Sequence, residues 1–159
     1  MSEFDKELYM LKALDLRDKV VKGYFEIGRV TKDYSISTEK GWVRVNPYSL
    51  CRNTGIKKNG TYLYENDLVE YSTTFDKGLA IIEFDELRCR YMLRTNLDYS
   101  ARADIERYTI KVIGNVALSD DDMKMFAEYS KNQQFTKDVE PECRSKAHIN
   151  KKAKEFLPR

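Results

Sequence analysis

The spacing of apolar residues divides the chain into a short helical pattern, a long β-type middle and a second helical pattern. Phe4, Leu8, Leu11 and Leu14 recur at steps of four, three and three, which predicts an amphipathic helix over residues 1–18, with Ser2 and Asp5 forming a capping box. From Val20 the period shortens to that of strands. Val20–Val30 predicts a strand bent at Gly23 and Gly28, Thr31–Lys40 a polar loop, and Gly41–Val45 a half-buried strand with Val43 and Val45 on one face and Trp42 and Arg44 on the other. Trp42, the only tryptophan, is either a binding platform or core and rim packing, and packing is the expectation. Pro47 ends this strand because it has no N–H for a ladder.

The most informative stretch is Thr54–Val69. Asn59-Gly60 predicts a two-residue type I′ turn, since Asn tolerates and Gly readily adopts positive φ. Thr61–Tyr64 then reads as a strand that bends at Asn66 and resumes through Asp67-Leu68-Val69, with Asp67 capping the bend. Asp76-Lys77-Gly78 predicts a turn between this strand and the next. Two further strands follow, Leu79–Asp85 and Leu87–Thr95. Alternation places Arg88, Arg90, Met92 and Arg94 on one face of the latter. Those arginines can bind phosphate, or pair with Glu83 and Asp85 across the hairpin, and pairing is favoured. A polar loop over Thr95–Ala103 and a last strand over Glu106–Val116 complete the middle. Ser119 caps a helix through Ser130 whose buried stripe is Met123, Phe126 and Ala127. Asp120, Asp121 and Asp122 suit the positive end of that helix better than a metal, because consecutive side chains do not converge.

Several of these residues carry a resemblance. Thr54-Gly55-Ile56, Asn59-Gly60 and Tyr64-Glu65-Asn66-Asp67-Leu68-Val69 resemble the central motif of the YopX family of phage and prophage proteins. Val21-Lys22-Gly23-Tyr24-Phe25 resembles its early Gly-Tyr strand and Ile110–Val116 its closing Ile-Gly-Asn segment. The family usually has Gly at the position of Asn66 and a slightly longer loop before Asn59. Its Gly-Gln-aromatic lead-in is replaced here by Cys51-Arg52-Asn53. The resemblance spans roughly residues 20 to 117. It implies a β-rich core and a phage or prophage origin, and it supplies no catalytic residues. Gly55, Asn59, Gly60, Asn66 and Asp67 are accordingly expected to shape turns.

Composition narrows the classes. The net charge of +2 does not demand a polyanionic partner. Charge is uneven at the end, with net −4 over residues 120–142 (seven acids, three bases) and net +5 over residues 143–159 (six bases, one acid). Cys51, Cys89 and Cys143 are odd in number and widely spaced, which predicts reduced thiols in a cytoplasm. The start of the chain lacks a signal pattern and no run of about 18 apolar residues occurs, so neither export nor a membrane helix is expected. His148 is the only histidine and lies in the basic end, which disfavours nucleophilic catalysis. The expected fold is α+β: a small bent barrel or barrel-like sheet of SH3-like character, with an N-terminal helix and one or two C-terminal helices. Three parts are expected: a helix over 1–18, a core over 20–117, and a helix with basic tail over 119–159. The expected function is a non-enzymatic interaction protein in the host cytoplasm, without cofactor or metal. Its partner would be a second copy, through Phe4, Leu8, Leu11 and Leu14, or a host or phage protein. The alternative is nucleic-acid binding through Arg88, Arg90, Arg94, Lys151, Lys152 and Lys154.

Overall fold

The computed structural model describes residues 5–28, 32–98 and 101–133. The chain divides into two compact units, Met1–Glu65 and Asn66–Arg159, each with its own antiparallel sheet.

The first unit holds β1 (Leu11–Leu14), β2 (Val20–Ile27), β3 (Tyr34–Thr38), β4 (Gly41–Arg44), β5 (Cys51–Lys58) and β6 (Thr61–Tyr64), in the order β4-β3-β2-β1-β5-β6. No N-terminal helix exists in the described residues. Asp5 caps a single 3-10 turn, Lys6–Tyr9, and the backbone is extended again at Met10. Leu11 and Leu14, expected on a helical stripe, lie in β1 between β2 and β5. The helical spacing is overridden because ladders on both sides satisfy the backbone of β1. The residue the strand buries completely is Ala13, which is not on that stripe. Asp15 turns the chain from β1 into β2: its carboxylate accepts the Arg17 and Lys19 N–H groups at 2.8 and 2.9 Å, and Asp18 takes φ 61°.

β3 occupies the stretch expected to be a polar loop. Its one aliphatic residue, Ile36, is fully buried with Ala13 and Val45, and Leu11, Val21 and Leu50 pack around them. Beyond β4 the sheet curls until Val45 makes one bridge to Asp15 and the Asn46 N–H donates to the Leu14 carbonyl at 2.9 Å. That single bridge does not close the ladder. The expected barrel of SH3-like character is therefore an open, curled sheet.

The second unit holds β7 (Asp67–Ser72), β8 (Lys77–Asp85), β9 (Arg90–Arg94), β10 (Ala101–Arg102) and β11 (Thr109–Asn115), in the order β10-β9-β8-β7-β11, followed by α1 (Asp120–Asn132). The molecule is thus mostly β, with one α-helix among the described residues. The stretch expected to be one bent strand is two, β6 and β7, which join different sheets across the Glu65-Asn66 turn. The expected turn at Asp76–Gly78 lies earlier, at 73–76, where Thr73 Oγ1 accepts the Phe75 and Asp76 N–H groups at 3.3 and 3.1 Å. The strand expected from Leu87 starts at Arg90, because 86–89 form a turn with Cys89 at φ 51°.

The apolar stripe of α1 meets the sheet as the sequence pattern indicated. Met123, Phe126 and Ala127 pack on Leu68, Ile81 and Val116, with Leu79, Leu97, Ile113 and Tyr129 around them. Each large side chain buried here contributes about 1.5–3 kcal/mol. Ser119 Oγ accepts the Asp122 N–H at 3.3 Å, which starts the helix. No helix among the described residues is long and apolar enough to cross a membrane.

Candidate functional site

Asn59, Gly60 and Asn66 lie in turns, whereas Gly55 lies within β5 and Asp67 is the first residue of β7. Asn59 and Gly60 take φ 53° and 78° and join β5 to β6 with Lys58 opposite Thr61. Asn66 sits at φ 68°. Its N–H donates to the Ile82 carbonyl at 2.8 Å and its carbonyl accepts from Val116 at 2.9 Å. Gly55, at φ 79°, lies in a bulge of β5, where four steps from Asn53 to Lys57 oppose two from Tyr64 to Tyr62. Asn53 Oδ1 accepts the Gly55 N–H at 2.8 Å, while the Thr54 hydroxyl donates to the Leu63 carbonyl at 2.8 Å and accepts from Ile56 at 3.1 Å.

Asp67, expected to cap the bend, begins β7 and its carboxylate faces β11. It is 3% exposed and accepts the Asn115 side-chain amide at 3.0 Å. The Asn115 side-chain oxygen takes the Ala117 and Leu118 N–H groups, and its own backbone N–H donates to Asp122 at 2.9 Å. A Cβ at Gly114 would overlap that Asp122 carboxylate. The central and closing motifs therefore meet in one hydrogen-bonded knot that joins β7, β11 and α1. The motif spacing does not reveal this contact. The clue available was an Asp and an Asn each flanking an apolar strand without a charge partner nearby.

The three arginines occupy different environments. Arg94 is fully buried. It donates to Glu83 at 3.2 and 3.4 Å, to the Asn96 carbonyl at 3.0 Å and to the Leu97 carbonyl at 2.7 Å. Arg88 lies in the turn and donates to Asp85 at 3.0 Å. Arg90 is exposed in β9. Burial acts to raise the Asp85 carboxyl. Hydrogen bonds from the Arg88 guanidinium and from the Arg88 and Leu87 N–H groups outweigh it, and the pKa is lowered. Arg94 shares its face with Glu83 because Ile81 opposes Arg94 and Glu83 opposes Met92, but the two acids sit on a strand whose depth in the fold the alternation does not show. Phe4, Lys151, Lys152 and Lys154 lie outside the described residues.

The start of the first unit is fastened through Leu8's own turn. Asp5 accepts from the Tyr62 hydroxyl and sits 3.4 Å from Lys57. Glu7 accepts from the Tyr64 hydroxyl at 3.2 Å and sits 3.6 Å from Lys22. The Asp5 hydrogen bond first, then burial, pushes the Tyr62 phenol up to about 12. Leu8 is 37% exposed and lies 3.8 Å from the Cβ position of Gly55.

Two concave or aromatic regions complete the surface. In the second unit a cleft of about 620 Å³ is bordered by Tyr71, Gly78, Tyr129, Glu70, Lys77 and Lys111. Burial, and then the Asp76 charge, pushes the Tyr71 phenol up to about 12, so it stays protonated at neutral pH. No group of three or more His, Cys, Asp or Glu among the described residues is placed to hold a metal. In the first unit the outward face of β2, β3 and β4 carries Tyr24, Ser37 and Trp42 in one cross-strand row. Trp42 is 60% exposed, so of the core and rim positions expected for it the core is excluded. The row is invisible to a reading that leaves β3 as a loop.

A family model, described as YopX protein, matches residues 4–117. Comparison with curated proteins and with solved structures finds no significant match. The matched span takes in the bulge at Gly55, the turns at Asn59-Gly60 and Asn66, and both partners of the Asp67–Asn115 hydrogen bond. The chain belongs to the YopX family.

Proposed function

We propose that this protein is a phage or prophage accessory protein that works by binding another protein in the host cytoplasm and has no enzymatic activity of its own. Its partner is a host or phage protein, and self-association belongs to the same reading. The observation that carries it is the outward sheet face with Tyr24 and Trp42, 39% and 60% exposed on a regular, hydrogen-bonded scaffold. Large rigid aromatics held in this way bind partners at low entropic cost. The nucleic-acid alternative is weakened because Arg94 is buried against Glu83 and Arg88 is engaged by Asp85, which leaves Arg90 as the free-standing member of that strand.

The test is capture with the tagged chain in host lysate, with cross-linking and in parallel with and without nuclease treatment, with sizing of the pure protein alongside. A discrete protein partner, or a discrete oligomer, supports the reading. Retention of nucleic acid alone, lost on nuclease treatment and at raised salt, refutes it.

A further inference from the structure

We propose that the face of β5 and β6 under the N-terminal 3-10 turn is a binding site for an acidic stretch of the partner protein, carrying two carboxylates two residues apart, and that Asp5 and Glu7 occupy it until the partner arrives. The inference rests on the interaction reading and gives the partner its chemistry.

The segment 5–7 is itself such a stretch, and its contacts show what the face accepts. The Asp5 carboxylate accepts from the Tyr62 hydroxyl and lies 3.4 Å from Lys57. The Glu7 carboxylate accepts from the Tyr64 hydroxyl at 3.2 Å and lies 3.6 Å from Lys22. Each carboxylate thus meets one phenol donor and one ammonium. The ladder sets these groups in place, because Lys57 opposes Tyr62 and Asn53 opposes Tyr64. The Asn53 side-chain amide donates to the Glu7 carbonyl at 2.9 Å, so the face reads main chain as well as charge. That combination selects a polypeptide. Lys12 adds a further ammonium, 4.2 Å from the centre of the Tyr64 ring. With the turn displaced, Lys12, Lys22 and Lys57 surround two phenol donors, which favours an acidic ligand.

The turn is a weak occupant. It is four residues long with none buried, and Leu8 and Tyr9 are 37% and 57% exposed. Its two ion pairs join side chains that are all exposed, where such pairs add little to stability. A short surface segment held in this way opens locally more often than the fold as a whole. The face beneath keeps its own register through the β5–β6 ladder and the Asn59-Gly60 turn. It also continues towards the aromatic row: Lys22 lies two residues from Tyr24 in β2, and the period of two puts both on one face. A partner that seats its acidic stretch here and an apolar surface on Tyr24 and Trp42 gains contacts that the turn does not make.

The 159-residue chain is compared with its Asp5→Asn, Glu7→Gln double variant, which weakens the internal occupant and leaves the receiving side chains unaltered. The probes are a labelled peptide of residues 2–10, the same peptide with Asn and Gln at the positions of Asp5 and Glu7, and a labelled thymidine oligonucleotide, all read by fluorescence anisotropy. The acidic peptide is expected to bind the double variant about fivefold or more tighter than wild type, because more of the sites stand open. It is expected to bind the double variant about tenfold tighter than the amide peptide does. Lys57→Ala and Tyr62→Phe, each added to the double variant, are expected to weaken it by about three- to tenfold. Lys57 is exposed and Phe keeps the Tyr62 ring, and unchanged thermal unfolding of the variants separates lost contact from lost fold. Equal affinity for wild type and double variant, or for the two peptides, overturns the proposal. So does an absence of binding to the double variant up to millimolar acidic peptide. If lysate capture of a protein partner is then the same for wild type and Lys57→Glu, the interaction reading stands without the site. Binding of the oligonucleotide but not the peptide overturns both.

Discussion

Removing Arg94 tests how the second unit is held together. The side chain is fully buried, and its partners include a carboxylate only 7% exposed and two backbone carbonyls. Truncation to alanine takes the guanidinium away from the buried Glu83 carboxylate. Leaving one member of a buried pair alone costs about 3–5 kcal/mol. The Asn96 and Leu97 carbonyls lose a charged donor as well, at about 1–3 kcal/mol for each acceptor left dry. Water entering the vacated volume offsets part of this, so Arg94→Ala is expected to cost at least about 3 kcal/mol, a large share of a small domain's stability of about 5–15 kcal/mol. Glu83→Gln keeps an acceptor for the guanidinium and is expected to cost less, about 1–3 kcal/mol. The double variant Arg94→Met, Glu83→Leu is expected to be more stable than Arg94→Ala alone, because no buried charge is left over. Urea titration followed by circular dichroism reads all three, with the shift in midpoint at constant slope giving the difference. An Arg94→Ala protein within about 0.5 kcal/mol of wild type would refute the reasoning, since that is the range of ordinary surface substitutions.

Three further outcomes are expected. Gly114→Ala forces a Cβ into the Asp122 carboxylate and is expected to cost about 1–3 kcal/mol in the same urea titration, with less added cost in an Asp122→Ala background. Acidification is expected to destabilise the fold partly through Asp85: its folded pKa lies below the unfolded value, so its contribution is present above about pH 4 and is lost as pH falls through the lower folded value. Asp85→Asn should flatten the loss of stability in that window. In alkali, ultraviolet titration should show Tyr62 and Tyr71 ionising near pH 12 rather than about 10. Their contribution to stability is intact below about pH 10 and is lost as pH rises towards 12, and Tyr62→Phe should remove one of the late phases.

The parts legible in the sequence are those where one residue's local chemistry decides the backbone. Asn59-Gly60 and Asn66 adopt positive φ for intrinsic reasons, and Ser119 with three acids behind it starts a helix almost independently of context. The parts that were not legible depend on neighbours distant in sequence. Leu11 and Leu14 fit a helical stripe, but β2 along all of β1 and β5 at Leu11 and Lys12 offered ladder partners and the strand prevailed, while Leu8 falls in the preceding 3-10 turn. Tyr34–Thr38 has one aliphatic residue, too little for a period to register, yet Ile36 fills the centre of the first core. Without β3 the row from Tyr24 to Trp42 could not be drawn. The strand alternation gave Arg94 its correct face, but not its depth, because burial depends on what covers that face.

The Asp67–Asn115 hydrogen bond spans 48 residues of sequence and ties the first strand of the second unit to its last. At a synthesis rate of about 5–20 residues per second, Asp67 emerges from the ribosome about 2–10 s before its partner emerges. Through that interval β7 has an unpaired edge on the side that β11 will occupy, and the helix that covers Leu68 and Ile81 does not yet exist. The nascent chain thus passes through a period in which a strand edge and an apolar face are both open to chaperones or to another nascent copy.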